Sequence, residues 1–514
     1  MDTKRFWKEY RRLSRRAEAG AIAEAEIGLR RLLSRQIADK ALQALCHSDL
    51  GVLLAARGEI DTARQQLELA LRADANCEAA RANLQRLAAR TASEPAIASV
   101  SDNAPAGRKI AILSFLFNWP SSGGGVMHTV GLGKALVNAG YEVKHLYADC
   151  QDFGVGRVQA PYPLEGEAIR FDAKSWRCEE IKRRFREAVD RFQPDEVLVT
   201  DAWNFKPHLA EAMRGYPVLL RFDGQECLCP LNNCRFLSGS DGSFSQCPYH
   251  QLATPETCWK CLEVRGKWSG PLHRAEREIS GAGVPQYLDL LHEGLQEAKA
   301  VLVNNPLIEA MLSPYARQVR VVPPGVDATR FSWKDEGGSA RPSGDLVCIF
   351  MAGVVEEPFK GLGVLHDACA LLWQKRQDFR LVVTAQRVGE IDAFTRSTGW
   401  LSQEELPAYY RAADICVVPS LVQEGWATVA IEAMAAGRPV VASRIGGLQF
   451  MVSDGAAGLL FEPGNVEEMA GCLERLLEEP ESRRRMGREA RRQFEERGSW
   501  EAIIARHYRS LLTG

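Results

Sequence analysis

The sequence predicts an α/β protein: two doubly wound, mainly parallel sheets behind a small all-α region. Two observations place the sheets. Short apolar runs such as KIAILSF (109–115) and LVCIFMAG (346–353) each open a series in which strand-like and helix-like stretches alternate. A glycine-rich turn, Gly123 to Gly125, follows the first of these runs, as where backbone approaches a ligand closely. A third observation sets the N-terminal region apart. Residues 1–90 are rich in Ala, Leu, Arg and Glu, a helix-forming composition.

With 514 residues, the chain has room for roughly two to four domains. Its net charge of −2 is nearly balanced, which argues against a nucleic acid or another polyanion as partner. The N-terminus, MDTKRFWKEYRRLSRR, is charged and holds no apolar run. No signal peptide and a cytoplasmic location are therefore expected. No apolar stretch is long enough to cross a bilayer. In that setting the 14 cysteines point to thiols or metal ligation rather than disulfides.

Within residues 1–90, Ala44 to Cys77 fits a tetratricopeptide repeat. Leu50, Gly51, Leu54, Gly58, Ala63, Leu67 and Ala70 fall where two packed antiparallel helices need small and large residues in alternation. Glu78 to Ala89 reads as the start of another repeat, and the stretch before Ala44 as a degenerate one. Such a module docks a partner or self-associates. The plainer reading is a helical hairpin packed on the rest of the chain. Arg11, Arg12, Arg15 and Arg16 form a solvated basic face, with attraction to anionic lipid at the inner membrane as the alternative. Residues 91–107, small, polar and Pro-containing, read as a linker.

The first α/β domain is expected over 108–331. A helix from about Val126 to Asn138 follows the glycine turn, with His128 in its first turn and Gly140 at its end. Strands are expected over 141–147, 196–200, 217–222 and 300–304. Asp201 and Asp223 stand at the exits of two successive strands, the ligand-binding edge of a parallel sheet; capping of the next element is the plainer role. An insertion, 227–261, holds Cys227, Cys229, Cys234, Cys247, Cys258 and Cys261. Its C-x-x-C pair makes it a loop-rich excursion pinned by a candidate structural zinc, with Cys227, Cys234, Cys247, Cys258 and Cys261 as ligands. Unligated thiols are the alternative.

Residues 332–344 are polar and Gly-rich, the expected hinge. A second α/β domain is expected over 332–497, with Lys360-Gly361 in its first loop, and residues 498–514 make a final helix. The chain is organised around 418–447, VPSLVQEGWATVAIEAMAAGRPVVASRIGG, read as strand end, loop, helix and strand. Glu424 sits on the loop and Glu432 about two turns into the helix. Between them the amides of Gly425, Trp426, Ala427 and Thr428 open a helix N-terminus, where unpaired N–H groups and the dipole favour phosphate. After Asp454-Gly455 the chain reads as helical.

GWLSQEELPAYYRAADICVVPSLVQEGWATVAIEAMAAGRPVVAS, VSDGAAGLLFEPGN, VVPPGVDATRF and the first glycine turn together resemble the family-four retaining glycosyltransferases. The resemblance runs from Lys109 onward. It implies the GT-B fold, two Rossmann-like domains facing a cleft, with the acceptor on the first and the donor nucleotide-sugar mostly on the second. The final helix would cross back to the first domain. Carried over, Glu432 would accept hydrogen bonds from the ribose and Glu424 from hydroxyls of the transferred sugar. Lys360 would neutralise the diphosphate leaving group, and Gly425, Trp426, Ala427 and Thr428 would contact sugar and diphosphate. Gly124, Gly125 and His128 would border the donor from the other domain, and backbone near Trp400 and Leu401 would border the base. The family is thought to react by front-face displacement, the donor phosphate helping to deprotonate the acceptor. That implies no protein nucleophile, no metal in the chemistry and no cofactor.

The chain departs from the family at three places. Val354 stands where an Arg is usual, leaving a cation such as Arg387 to take its place. Asp223 stands where a His is usual, and would bind a sugar hydroxyl or the acceptor. Gln449-Phe450 replaces the usual Pro-Glu. The resemblance therefore implies a hexosyl-type transferase moving sugar from a nucleotide-diphosphate-sugar to a glycan, a lipid-linked glycan or a protein. The alternative is a repeat-bearing scaffold whose transferase half binds nucleotide-sugar with weakened turnover.

Overall fold

The computed structural model describes residues 3–18, 39–56, 60–93, 107–121, 123–159, 161–239, 242–266, 270–331 and 346–512, with isolated positions between 25 and 33. Most of the expected linker, the expected hinge and Gly58 lie outside the described residues. The chain divides into two compact units, Met1–Asp102 and Asn103–Gly514.

The first unit is helical: Thr3–Glu18, Lys40–Ala56, Ile60–Ala73 and Glu78–Ser93. Leu50, Leu54, Ala63, Leu67 and Ala70 are all buried in one apolar cluster. Gly51 is what lets two of these helices approach. A Cβ there would lie 2.7 Å from Leu67 Cγ, closer than packed carbons come. Arg11, Arg12 and Arg15 are exposed, and Trp7 donates to Asp39 at 2.8 Å.

The second unit contains two seven-stranded sheets. Strands β1 (Lys109–Ser114), β2 (Glu142–Asp149), β3 (Glu165–Arg170), β4 (Glu196–Val199) and β5 (Val218–Phe222) belong to the first. The hairpin β6 (Phe236–Ser238) and β7 (Phe244–Gln246) stands apart, before β8 (Ala300–Val303) and β9 (Val319–Val321) complete that sheet. Its order is β3-β2-β1-β4-β5-β8-β9, every pairing parallel. The second sheet is built from β10 (Val347–Met351), β11 (Phe379–Val383), β12 (Gly389–Glu390), β13 (Thr395–Ser397), β14 (Ile415–Val418), β15 (Val440–Ser443) and β16 (Gly458–Phe461). Its order is β12-β13-β11-β10-β14-β15-β16, with only the short β12 antiparallel. Parallel sheets need both faces covered, and the central strands β4, β5, β14 and β15 are buried along their whole length.

Two expectations fail. The insertion is not mainly loop: after the hairpin come helices Pro255–Arg265, Pro271–Ser280 and Pro285–Glu297, each with Pro in its first turn, where its missing N–H costs nothing. The chain after Gly455 is not all helical either, because GLLF forms the buried edge strand β16 before helices Val466–Glu478 and Pro480–Arg497. The final segment, Trp500 to Leu512, packs on the first sheet with Ile110, Ile112, Leu132 and Leu198. Two glycines receive its indole: Cβ atoms on Gly131 and Gly325 would lie 2.7 Å and 2.8 Å from Trp500 ring atoms.

Candidate active site

The donor-side edge is built by the loop between β14 and helix Thr428–Ala435. That helix begins later than its composition suggests, so Glu432 lies one turn in rather than two. Ala427 occupies the N-cap position without a side chain able to cap, so the first-turn amides keep no side-chain partner there. Glycines hold the preceding loop. Gly447 N–H donates to Glu424 O at 2.9 Å, and a Cβ on Gly446 would lie 2.5 Å from that same oxygen. Trp426 is half-buried, and its indole N–H is buried without a partner.

Lys360 reaches this loop because of its neighbour. Gly361 has φ +82°, and a Cβ there would lie 2.0 Å from Pro419 O; only glycine brings the chain so close in that conformation. Leu421 N–H donates to Phe359 O at 2.8 Å. Lys360 Nζ then sits 3.1 Å from Glu424 Oε1, and Ser420 Oγ donates to the same oxygen. Burial alone would pull Lys360's pKa down. Glu424 and then Cys234 outweigh it, so the net shift is upward and the ammonium stays charged.

Glu432 is buried and already engaged. Tyr410 O–H donates to Oε2 at 3.0 Å, and Arg330 Nη1 lies 3.7 Å from Oε1. Burial raises its pKa, with Arg330 and Tyr410 opposing. Arg330 also donates to Gln403 O at 2.8 Å. Leu401 is buried in the apolar cluster beneath, whereas the Trp400 side chain is 53% exposed. Val354 is exposed, and so is Arg387.

The facing edge belongs to the first sheet. The glycine-turn helix starts at Gly124, two residues before the expected Val126, and Gly124 is open to solvent. A Cβ on Gly125 would stand 3.5 Å from Asp201 Oδ1. Asp223 is tied down by Arg221 Nε at 3.0 Å and His128 Nδ1 at 2.9 Å, both on Oδ1. Burial would raise the pKa of Asp223, but His128 and Arg221 reverse the shift and hold it well below the carboxylate range. His128 is neither a cap nor a surface residue. It is buried, stacks on Trp500 with ring centroids 5.5 Å apart, and has its pKa lowered by burial, Asp223 opposing.

The two edges meet at Gly425. A Cβ there would lie 2.4 Å from Asp223 O. Asn304 Nδ2 donates to that oxygen at 2.6 Å, and Asn305 Nδ2 to Gly425 O at 2.7 Å. Gln423 donates to Gln225 at 3.2 Å. Glu424, Lys360, Gly425, Asp223 and Gly125 therefore share one cleft, with His128 sealed behind Asp223.

The zinc reading does not hold as a ligand set. Cys227 donates to Trp203 O at 3.0 Å inside the core. Cys234 stands instead beside Glu424 and Lys360, which perturb its titration; burial first, then Glu424, pushes its pKa up to about 12. Among the described residues no three His, Cys, Asp or Glu side chains converge as a metal site requires, so Cys247, Cys258 and Cys261 lose two of their expected partners. The insertion has another place in the site: Phe236 and Phe244 of its hairpin pack against Phe359, at 5.3 Å and 6.2 Å between centroids.

Sequence reasoning missed Arg330, Tyr410, Ser420, Arg221, Asn304 and Asn305. For Tyr410 and Ser420 a signal existed, since both stand in the segment that carries the resemblance. The others lie in elements far apart in the chain.

Residues 345–479 match the family model described as Glycosyl transferases group 1. This segment is a group 1 glycosyl transferase domain. The chain is 34% identical over 210 residues to the MMP alpha-(1->4)-mannosyltransferase of Mycolicibacterium hassiacum, covering 39% of this chain and 49% of that protein. It is 33% identical over 268 residues to the D-inositol 3-phosphate glycosyltransferase of Segniliparus rotundus, covering 46% of this chain and 58% of that protein. The chain thus spans about half the length of the curated relatives it matches. The sucrose-phosphate synthase of Thermosynechococcus elongatus has a similar fold: TM-score 0.54 at 21% identity, over 79% of this chain and 99% of that one. An Anabaena protein solved with UDP and glucose matches with TM-score 0.53 at 15% identity, over 79% and 99%. These likenesses show the fold: the group 1 domain is the second half of a GT-B pair. No helix among the described residues is long and apolar enough to cross a membrane.

Proposed function

We propose that the protein is a retaining glycosyltransferase that moves a hexosyl group from a nucleotide-diphosphate-sugar to a hydroxyl of a glycan, lipid-linked glycan or protein. The observation that carries this is the Lys360–Glu424 pair, 3.1 Å apart, at the mouth of an uncapped helix N-terminus inside a group 1 domain. Lys360 and the first-turn amides supply fixed positive charge where a diphosphate leaving group gains negative charge, the largest kind of catalytic contribution in such sites. Glu424 exchanges Lys360 and Ser420 for hydroxyls of the transferred sugar. Glu432 takes the ribose hydroxyls, its oxygens held in place by Tyr410 and Arg330. The first α/β domain, 108–331, receives the acceptor, and the second, 332–497, the donor.

Under this reading the chemistry needs no metal. The protein works in the cytoplasm, where nucleotide-sugars serve as donors, and peripherally at the inner membrane when the acceptor is lipid-linked. The helical unit before it docks the acceptor or a partner protein. Glu424→Ala tests the core of the reading. Transfer should fall about 10²-fold or more, while donor-induced thermal stabilisation persists. Wild-type turnover by this variant would sink the assignment.

A further inference from the structure

Three carboxyls stand at the exits of β4 and β5. Two are matched within the protein. Asp223 has Arg221 and His128. Glu226 accepts from the amides of Asp223 at 2.9 Å and Gly224 at 2.8 Å, and lies 3.8 Å from Lys206 Nζ. Lys206 is itself committed, donating to the carbonyls of Thr200 and Arg221. The third, Asp201, has no printed ion pair, and its side chain meets only a hydrogen bond from Trp203. Its main chain is fixed, because its carbonyl accepts from Phe115 N–H at 2.9 Å and Leu116 N–H at 3.2 Å. The carboxylate is half-buried and faces the glycine turn, 3.5 Å from where a Cβ of Gly125 would be. Across the cleft, the backbone of its neighbour Asp223 touches Gly425, next to Glu424. Asp201 is thus a rigidly held, unmatched carboxylate between the first glycine turn and the sugar-binding loop.

We propose that Asp201 takes the proton of the attacking acceptor hydroxyl. This rests on the glycosyltransferase reading above. In the step, the acceptor oxygen bonds to the anomeric carbon of the donor sugar. The bond from that carbon to the diphosphate oxygen breaks, and the electron pair leaves with the nucleoside diphosphate. The hydroxyl proton passes to an Asp201 carboxylate oxygen. The role differs from the one the family resemblance implies, in which donor phosphate helps remove that proton. Asp223 then positions rather than reacts, since its Oδ1 is occupied by two cationic-type donors.

The surroundings suit a base working at neutral pH. Burial, then the charge of Asp223, push the Asp201 carboxyl up to about 7, with Lys206 opposing and Glu226 adding to the rise. The ionised form is the active one, so the rate should rise with pH through about 7 and level off above it.

The test uses the full chain and water as the probe acceptor, with UDP-, GDP- and ADP-sugars as donors. Wild type should hydrolyse one donor slowly, faster as pH rises through neutrality. Asp201→Asn should keep the donor-induced melting shift, lose about 10²-fold in hydrolysis, and show no such rise. Asp201→Glu should recover part of the rate. An Asp201→Asn enzyme with wild-type hydrolysis, or with the same pH limb, overturns the inference. Should that variant fail to fold, wild-type hydrolysis that is flat across neutral pH overturns it equally. Wild type that neither binds nor hydrolyses any donor is a different failure, that of the glycosyltransferase reading itself.

Discussion

The two edges of the cleft hold their charges in opposite ways. On the donor edge, the charged groups have partners that a ligand can replace: Glu424 holds Lys360 and Ser420, and Glu432 holds Tyr410 and Arg330. On the facing edge, Arg221 is fully buried and bonded to Asp223, Asn304 and Val322 O, with His128 sealed behind. The first arrangement is a binding surface kept neutral while empty. The second is a rigid mount that aims a few groups at the cleft. A buried, fully bonded charge network costs much to disturb, which suits it to holding a geometry rather than to meeting a substrate.

Breaking the mount should have the largest effect on stability. Arg221→Met leaves Asp223 buried beside only His128, and should cost about 3–5 kcal/mol, read as a large fall in the denaturation midpoint. If stability is unchanged, the network is not a mount. Lys360→Ala strikes the other edge. Turnover should drop about 10²–10³-fold, with a melting temperature close to that of wild type. A large loss of stability instead would make Lys360 structural and erase the contrast.

The contrast sharpens with pH. Glu276 is buried in helix Pro271–Ser280, accepting from Asn204 at 3.2 Å, and burial raises its pKa from 4.5 to about 7, with Asn204 and Arg277 opposing. A carboxyl with a raised folded pKa stabilises fully below its unfolded value and loses that contribution as pH rises through the folded one. Asp223, with its pKa depressed, has the reverse sign and loses its contribution as pH falls. The melting temperature should therefore decline between about pH 6 and pH 8, and Glu276→Gln should flatten that decline. A slope identical in the variant would remove Glu276 from the account. The smallest expected effect is that of deleting residues 1–90. Donor hydrolysis should persist, while transfer to the native acceptor weakens. Equal transfer by the truncated enzyme would rule out acceptor docking by the helical unit.

The donor edge was legible because its residues are near neighbours in sequence. Glu424 and Glu432 share one loop and one helix, and Gly361 sits beside Lys360, so local pattern and motif fall together. The other edge was not, because Arg221, His128, Asn304 and Trp500 come from four separated elements that only the tertiary fold assembles. Asp201 and Asp223 were visible as acids at strand exits, but which one is neutralised depends on those distant partners. The insertion misled for a related reason. Its cysteine count suggested one metal, while Cys227 points into the core and Cys234 toward Lys360. Pro255, Pro271 and Pro285 were the local signals of its helices. The helix before Glu432 was placed too early because Gly425 to Ala427 were counted into it, whereas Gly425 is held by contact with the opposite edge.

The central claim is that a nucleotide-sugar occupies the donor edge. The most direct measurement is a panel of UDP-, GDP- and ADP-sugars against the purified protein, with thermal shift and donor turnover recorded together. The account predicts one donor that both stabilises the protein and is slowly turned over. No stabilisation and no turnover with any of them would contradict it.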